Sequence, residues 1–425
     1  MSAQGLWGAT LRDPIQAPPL ESDLQVDLAI IGGGFTGCSA ALEAARQGAR
    51  VALVEAQTIG HGGSGRNVGL VNAGLWLPPE TILAQMGDAP GRRLIDALGS
   101  APDLVFDLIA REAITCEATR AGTLHLAHAP GGLADLENRH RQGNAFGAAL
   151  HLLDADEARR RTGSDAFHGA LWNPQAGTVQ PLAYCHGLAR AAQRAGAQIF
   201  ARTPVTGIAQ DNGLWRLDTA RGQIRAGKLL QATNAYPSQA ARPRQAQYIT
   251  VQYCQFATVP MPDALRAQIL PGGEGCWDTA TVMSSVRVDQ AGRLIVGGMG
   301  HGQGAGGPVH AAWARRKLRS LYPALADLPF EHAWSGRIAM TGDHLPRVQA
   351  LGPGGLSILG YSGRGIAPGT VFGTAAAQAL LSDDMQALPL AVTPPQRESL
   401  AGVKSAVLEL GATLTHAIGA RQARR

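Results

Sequence analysis

Apolar positions near the start of the chain follow two different periods. Residues 26–31 are almost continuously apolar, which is typical of a strand buried on both faces. Small and apolar residues at helical spacing occupy residues 35–48, and a second apolar stretch, 49–56, follows directly. The pattern therefore predicts a β–α–β unit at the N-terminal end.

Helical and strand-like patterns alternate along the rest of the chain. The spacing predicts a helix or a broken pair of helices over 92–114, a strand over 121–129 and a helix over 131–147. A short helix over 154–163 has Asp154 as its expected N-cap. Later elements are a helix after Pro181, a β-meander over 214–236, strands between 244 and 328 that include a hairpin at the sequence "DQAG", and a strand, glycine turn and helix over 355–382.

Both ends of the chain lie outside these patterns. The first residues, "GLWGATLRDPIQAPPLESDLQVD", are rich in proline and predict an extended leader on the surface. The last stretch predicts one helix over 399–418, packed on the dinucleotide-binding part of the protein.

Composition excludes several classes of protein. The chain has 425 residues, 45% of them hydrophobic, which is enough for one large or two interleaved domains. The formal net charge is +5, but Lys and Arg are scattered, and the clusters at 157–161 and 314–319 are interpreted as solvated helix faces rather than a nucleic-acid site. The apolar runs predict no membrane span and no export signal. Five cysteines without a CxxC or metal-ligand spacing favour a reducing cytoplasm and no metal site.

Three glycines follow the first strand in GxGxxG spacing. Gly32 permits a tight turn, Gly34 allows the backbone to approach a pyrophosphate, and Gly37 permits close packing of the next helix, whose N-terminus favours negative charge. Glu55 ends the second strand, where a carboxylate can accept hydrogen bonds from a ribose diol. The residues predicted to hold the dinucleotide are Gly32, Gly34, Phe35, Thr36, Gly37, Glu55 and Ala56.

The next segment indicates which dinucleotide is bound. The loop "IGHGGSGRNVGLVNAG" over 59–74 resembles the flavin loop of the D-amino acid oxidase (DAO) superfamily of FAD-dependent oxidoreductases, with the pattern G-x-G-x-S-G-R-N-G-G. The resemblance extends over about residues 5–384. Within the superfamily, the chain is similar to the γ-glutamylputrescine oxidase and glycine–sarcosine oxidase branch. It implies contacts to FAD from Gly63, Ser64, Arg66, Asn67, Val68, Val205, Thr233, Asn234, Gly363, Arg364, Gly365 and Ile366.

The resemblance also implies a fold class and a domain arrangement. The expected fold is α/β, or α+β overall, with a Rossmann-like FAD-binding domain interleaved with an antiparallel-sheet substrate domain. The FAD-binding domain is expected to comprise 25–90, 150–243 and 329–390, and the substrate domain 91–149 and 244–328. Residues 391–425 are expected to form a C-terminal helix or tail.

The implied activity is oxidation of a primary or secondary amine, or of an amino acid, to an imine. In this family the hydride goes to flavin N5, and O2 is the expected acceptor, giving hydrogen peroxide. The expected partner is a small-molecule amine in a cytoplasmic enzyme, without nucleic acid. The residues predicted to act in catalysis are Arg66, His344, Tyr361 and Arg364.

Most of these residues keep a structural alternative. Arg66 is either a cation beside the flavin or a donor that fixes the loop, and Tyr361 either covers the substrate or packs on its strand. Arg364 stands where related oxidases have a histidine, and it either anchors an acidic substrate, contacts the flavin or lies on the surface. Near His344, Asp343 is an alternative for the same role.

Three positions depart from sarcosine oxidase-like members. Gly69 and Ala367 replace the arginine and lysine that grip the substrate carboxylate, which makes an α-amino acid less expected unless Arg287 or Arg337 supplies the charge. Ile295 replaces the lysine that promotes reaction with O2. Alternatives therefore stay open: a flavin dehydrogenase, a complex-bound subunit, a flavoprotein acting on a tRNA base and a nicotinamide-dependent dehydrogenase.

Overall fold

The structure, a computed structural model, describes residues 5–243 and 245–422. Its helices are α1 (Gly5–Thr10), α2 (Phe35–Arg46), α3 (Pro79–Met86), α4 (Asp88–Gly99), α5 (Ala101–Arg111), α6 (Pro130–Ala145), α7 (Ala155–Thr162), α8 (Pro181–Arg194), α9 (Asp263–Arg266), α10 (Gly307–Leu321), α11 (Ala367–Ser382) and α12 (Ala401–Gln422). Its strands are β1 (Leu24–Ile31), β2 (Val51–Val54), β3 (Leu70–Val71), β4 (Thr123–Leu126), β5 (His151–Leu153), β6 (Ala170–Asn173), β7 (Gly177–Thr178), β8 (Gln198–Phe200), β9 (Gly207–Asp211), β10 (Leu214–Asp218), β11 (Gln223–Gln231), β12 (Ile249–Pro260), β13 (Gly275–Asp278), β14 (Ser284–Val288), β15 (Arg293–Met299), β16 (Phe330–Met340), β17 (Arg347–Gly352) and β18 (Gly355–Leu359).

The first sheet is built around five parallel strands in the order β18–β11–β1–β2–β8. Strand β17 continues it antiparallel to β18, and β9 and β10 branch from β11 as a meander. Ile31 pairs with both Gln231 and Val54, so the residues after β1, β2 and β11 meet at one edge. Helix α2 packs between α8 and α11 over this sheet. The β–α–β unit and the mixed α/β fold class are thereby confirmed.

The second sheet has the order β16–β12–β15–β14–β13–β4–β6–β5 and is antiparallel except where β13 and β4 run parallel. Three of its strands, β5, β6 and β16, lie in segments predicted for the FAD-binding domain. Alternating polar and apolar residues predict a strand but do not show which sheet the strand joins. The local sequence therefore could not assign these three strands to the second sheet. The exact domain boundaries stay a prediction.

Several local predictions are confirmed. The helical pattern over 92–114 is a broken pair, α4 and α5, separated at Ser100. Asp154 caps α7 by accepting a hydrogen bond from the N–H of Glu157, in a capping box. The "DQAG" turn joins β14 to β15, and its Gly292 has φ +83°.

Both chain ends differ from expectation. The leader is not wholly extended, because Gly5–Thr10 forms α1 with Leu6 and Trp7 completely buried. The C-terminal helix exists, but α12 packs on strand β12 of the second sheet and on helix α10 rather than on the dinucleotide-binding sheet. Val205 lies in the loop after β8, not in the strand. In the part of the chain that the structure describes, no helix combines the length and apolarity needed to cross a membrane.

Candidate active site

The turn after β1 has the geometry that a pyrophosphate requires. Gly32 has φ +110°, which favours glycine, and a side chain at Gly37 would collide with the Gly32 carbonyl oxygen. A Cβ on Gly34 would lie 2.8 Å from the Ser64 hydroxyl. Phe35 begins α2, so the backbone comes close to the cavity at the positive end of the helix.

Glu55 braces this turn from the end of β2. One carboxylate oxygen accepts the N–H of Gly33 at 2.8 Å, and the other accepts the N–H of Gln57 at 2.9 Å. Burial raises the pKa of Glu55, while these N–H groups favour its ionised form. Glu55 and Ala56 both line the cavity, where a ribose would meet the carboxylate.

The loop after β2 is held by its own side chains. Asn67 donates to the carbonyls of Gly63 (3.0 Å) and Ser64 (3.1 Å) and accepts the N–H of Gly69 at 2.8 Å. The Ser64 hydroxyl accepts the N–H of Phe35 at 3.1 Å, which ties the loop to α2. Together with Gly63 and Val68, Ser64 and Asn67 line the cavity.

Arg66 makes contacts that fit its structural alternative. Its guanidinium donates to the carbonyls of His61 (2.8 Å) and Ser335 (3.2 Å) and lies 3.3 Å from His61 Nε2. Burial, followed by the charge of Arg66, lowers the pKa of His61, which favours a neutral imidazole at the cavity wall. These bonds support a loop-fixing role, and a catalytic role for Arg66 stays a prediction.

Two tryptophans from distant parts of the chain, Trp7 and Trp334, contact the same loop. The Trp7 indole donates to the Asn67 carbonyl at 2.8 Å, and the Trp334 indole donates to the Arg66 carbonyl at 2.8 Å. The two rings meet edge to face with centroids 5.8 Å apart. Ile295 packs in the same buried cluster. Helix α1 therefore supports the flavin loop, a role that the sequence did not reveal.

A second helix begins opposite the first. Gly363, Arg364, Gly365 and Ile366 precede α11 and line the cavity. Tyr361 is buried, and its hydroxyl lies 2.7 Å from that of Thr36, a contact that fits the packing alternative. Burial raises the pKa of Tyr361.

The turn after β11 completes the wall between the two helices. Thr233 and Asn234 line the cavity, and the Asn234 side chain accepts the N–H of Gly360 at 3.0 Å. Val205 is buried, and its carbonyl accepts a hydrogen bond from the Ser238 hydroxyl at 3.2 Å. Its neighbour Pro204 forms the cavity wall there.

These turns border one cavity of about 930 Å³, near the upper end of the range of about 300–1,000 Å³ for ligand and cofactor sites. It runs from the two helix N-termini to the second sheet. Five of its polar wall atoms are buried without a partner among the described residues: Asn72 Oδ1, Tyr253 OH, Gln255 Oε1, Trp277 Nε1 and Arg364 Nε. Such atoms are satisfied when a polar ligand fills the site. The residues therefore fit a large dinucleotide together with a second, smaller molecule.

The end of the cavity under the second sheet is aromatic and cationic. The Arg364 guanidinium lies 4.7 Å from the Trp76 ring centroid and 5.4 Å from that of Trp277, and it donates to the Ala73 carbonyl at 2.6 Å. Burial lowers the pKa of Arg364 to about 9, with the charge of Arg139 as the smaller cause. Arg364 therefore stays protonated at neutral pH.

Two nearby cations are already paired. Arg139 donates to Asp135 at 2.7 Å, and Lys317 donates to Asp278 at 2.8 Å. Arg364, by contrast, has no carboxylate partner within residues 5–243 and 245–422. We call this end of the cavity, bordered by Trp76, His125, Trp277 and Arg364, the chamber. The chamber thus presents to a ligand a cation that no carboxylate neutralises.

His125 is a wall residue that the sequence did not single out. Its buried ring stacks on Trp277 with centroids 5.0 Å apart, and burial lowers its pKa to about 3. The sequence predicted a strand around it, but strands β4 and β13 meet from distant parts of the chain. Because β4 pairs with β13, His125 and Trp277 lie side by side at the cavity wall, which the local pattern of polar and apolar residues does not show.

The remaining candidates have different positions. His344 lines the cavity with φ +61°, whereas Asp343 forms an ion pair with Arg347 at 2.5 Å. Arg287 is buried and donates to three backbone carbonyls, including that of Val179 at 2.6 Å. Arg337 is exposed at the cavity wall.

Comparison with known proteins identifies the class. The family model for FAD dependent oxidoreductase (DAO) matches residues 27–379. The chain belongs to this family, and it is an FAD-dependent oxidoreductase with FAD as its cofactor. When bound, FAD would be held by the turns after β1 and β2, the loop 63–68 and the turn before α11.

Individual relatives cover almost the whole chain. It is 31% identical over 367 residues to a probable oxidoreductase OrdL of Rhizobium meliloti, covering 85% of this chain and 84% of that protein. It is 29% identical over 367 residues to the gamma-glutamylputrescine oxidoreductase of Escherichia coli, covering 86% and 85%. The crystal structure of glycine oxidase from Geobacillus kaustophilus superposes with a TM-score of 0.70 at 21% identity, covering 88% of this chain and 99% of that one, which shows the shared fold.

Proposed function

We propose that this enzyme oxidises the C–N bond of a primary or secondary amine, or of an amino acid, to an imine, with O2 as the acceptor that yields hydrogen peroxide. Two relatives, a gamma-glutamylputrescine oxidoreductase and a glycine oxidase, support an amine substrate. The observation that carries the proposal is the Arg364 guanidinium, which shares one cavity with both dinucleotide-binding turns and has no carboxylate partner among the described residues.

The chemistry needs little from acid or base side chains. When bound, FAD would supply the oxidising power as the acceptor of a hydride equivalent from the carbon beside the amine nitrogen. Loss of that hydride from a neutral amine leaves a protonated imine, which gives up a proton and adds water to form a carbonyl compound and a smaller amine or ammonia. The protein has to bind the amine in its neutral form and orient its C–H bond.

The charge of Arg364 favours a neutral amine in the chamber. A nearby positive charge disfavours an ammonium group, so an amine beside Arg364 loses its proton more readily. The backbone amides of Gly363 and Gly365 are proposed to polarise the flavin C2 carbonyl. Catalytic roles for Arg66, His344 and Tyr361 stay predictions.

Arg364 is proposed to anchor a carboxylate on the substrate. Residue 69, where relatives carry an anchoring arginine, has φ +88°, and any side chain there would collide with the Val179 carbonyl and the Arg287 guanidinium. Arg364→Met should raise KM at least tenfold for amines that carry a carboxylate and leave neutral amines within about twofold, since a charged hydrogen bond contributes about 1.5–3 kcal/mol. Arg337→Met tests the alternative anchor at the exposed wall, and it should leave the KM of both substrate classes within about twofold if Arg364 is the anchor. Equal changes for both substrate classes would remove Arg364 as the anchor.

The test of the activity is anaerobic titration of the FAD-loaded protein with a panel of amines and amino acids, followed by admission of air. Bleaching of the oxidised flavin spectrum by one amine class, with a carbonyl product, is the expected result. Flavin that no amine reduces would contradict amine oxidation.

A dehydrogenase is the second candidate, and Ile295 favours it. This residue, which stands at the position of the family's O2-promoting lysine, is buried against Trp7 and Trp334. Slow reoxidation in air together with rapid reoxidation by an artificial acceptor would select the dehydrogenase. The five cysteines are buried and unpaired, which supports the proposed cytoplasmic location.

A further inference from the structure

Helix α12 is fixed to its own chain along one face. The Ser405 hydroxyl accepts the N–H of Thr250 at 2.9 Å, and the Glu409 carboxylate accepts the N–H of His301 at 2.9 Å. Both bonds join the helix to the end of the second sheet. The helix is therefore docked, and its orientation about its own axis is set by polar contacts as well as by packing.

A buried histidine pair closes the same face near the end of the helix. Nδ1 of His416 lies 2.8 Å from Nδ1 of His310, and the His416 ring stacks on Trp313 with centroids 4.0 Å apart. Rotation of α12 to bury its other face would break these contacts. These contacts therefore turn one face of the helix toward its own chain and leave the opposite face at the surface.

That outward face carries a narrow apolar stripe. Its members are between 50% and 62% exposed: Val403, Val407, Leu410, Leu414 and Ile418. Successive members are four, three, four and four residues apart, which places them within an arc of about 80° on a helix of 3.6 residues per turn. Of the eight exposed large apolar residues among those described, six lie between 400 and 418, so the exposure is concentrated here.

We propose that this stripe packs against the same stripe of a second copy of the chain, forming a two-fold symmetric dimer through α12. Large apolar residues spaced three and four positions apart form the contact line of paired helices. This line is narrower than the apolar face by which a helix packs on a globular core. Ala406, Gly411 and Ala417 flank the stripe and allow close approach. A two-fold interface is self-complementary, so the same stripe serves both subunits.

The available area suits a dimer. If each of the five side chains and Leu400 exposes roughly 100 Å², the pair buries about 1,200 Å² in total, the lower end of a standard stable interface. The charge on this face is also compatible. Between residues 401 and 418, Lys404 is the charged residue beside the stripe, and it pairs with Glu398 of its own chain at 2.5 Å, which reduces like-charge repulsion between two copies at this position.

A membrane surface fits less well. Helices that lie on membranes present a face rich in Lys and Arg opposite the apolar face. In α12 the face opposite the stripe is engaged with its own chain through Ser405, Glu409 and His416. Three arginines, Arg421, Arg424 and Arg425, do follow in the sequence, so lipid binding is one outcome of the test.

The experiment measures the mass of the FAD-loaded full chain by sedimentation equilibrium across the micromolar range. The wild-type protein should be a dimer. Leu410→Glu should weaken dimerisation at least tenfold, because like charges would meet across the two-fold axis, while keeping its flavin spectrum. Leu351→Glu, at an exposed leucine outside α12, is the matched control and should remain dimeric.

A mixing experiment separates self-association from damage to the fold. Leu410→Glu and Leu410→Lys, each monomeric alone, should form a dimer when mixed. A monomeric wild-type protein, or a Leu410→Glu variant that still dimerises normally, would overturn the proposal. Binding of a monomeric wild-type protein to phosphatidylcholine–phosphatidylserine vesicles would assign the stripe to a membrane instead.

Discussion

The support of the flavin loop by α1 can be tested by Trp7→Phe. This change removes the indole N–H that donates to the Asn67 carbonyl at 2.8 Å, and it reduces the edge-to-face contact with Trp334. An unpaired carbonyl costs about 1–3 kcal/mol and the loss of an aromatic pair about 0.5–1.5 kcal/mol, so the free energy of unfolding should fall by about 1.5–4.5 kcal/mol. Thermal or denaturant unfolding of the holoenzyme measures this loss.

Because the loop lines the cavity that we propose holds FAD, part of the loss should appear as weaker FAD binding. With 1.4 kcal/mol per tenfold, we expect the FAD Kd to rise roughly 5- to 100-fold, measured from the fluorescence of released flavin. The control is Trp215→Phe. Trp215 is buried in β10 and its indole donates to the Pro353 carbonyl at 3.0 Å, so the change removes a similar hydrogen bond away from the loop. It should lower stability with an FAD Kd unchanged within about twofold. Equal effects of both variants on FAD affinity would refute the proposed support.

Three further predictions concern the turns and the chamber. Glu55→Gln should lower FAD affinity at least tenfold in equilibrium dialysis, because the amide NH2 cannot accept one of the two backbone N–H bonds, each of which contributes about 1.5–3 kcal/mol. Glu43→Gln, at a half-buried carboxylate on α2 that accepts from Gln47 and Gln378, should leave FAD affinity unchanged. Gly69→Ala should lower the free energy of unfolding by at least about 2 kcal/mol, because residue 69 has φ +88° and the new methyl group would collide with the Val179 carbonyl. Gly74→Ala, at φ +65° with open space around it, should lower the free energy of unfolding by only about 1 kcal/mol. Equal losses would show that the structure relieves the collision. The pKa of His125 falls from 6.5 in the unfolded chain to about 3 in the folded one, so the unfolded chain binds more protons between these values and stability should decline as pH falls below about 6.5. His125→Asn should flatten the decline measured by denaturant unfolding at pH 5 and pH 7.5, and an unchanged slope would exclude His125 as a cause.

The parts of the site that are local in sequence could be predicted from it. Gly32, Gly37 and Glu55 lie within one β–α–β unit, where glycine spacing and a strand-end carboxylate have few alternative explanations. The loop around Asn67 was predicted from its motif, and the structure places it at the cavity.

Residues that depend on long-range pairing could not be predicted. Trp7 lies in a helix of six residues, too short for a periodic signal, and its partner Asn67 is sixty residues away. His125 faces the chamber only because β4 pairs with β13. The helix α12 was predicted with nearly the right extent, but its docking side is decided by Ser405 and His416, whose partners lie on the second sheet and on α10.

The two tryptophan contacts to the flavin loop also set an order of assembly. The loop residues 63–69 leave the ribosome early, as does Trp7, but Trp334 belongs to β16 and is synthesised only after most of the chain. Until then the Arg66 carbonyl lacks its indole donor and the second sheet lacks an edge strand. We therefore expect the cofactor to bind late in synthesis, and a chain stalled before β16 should not retain it.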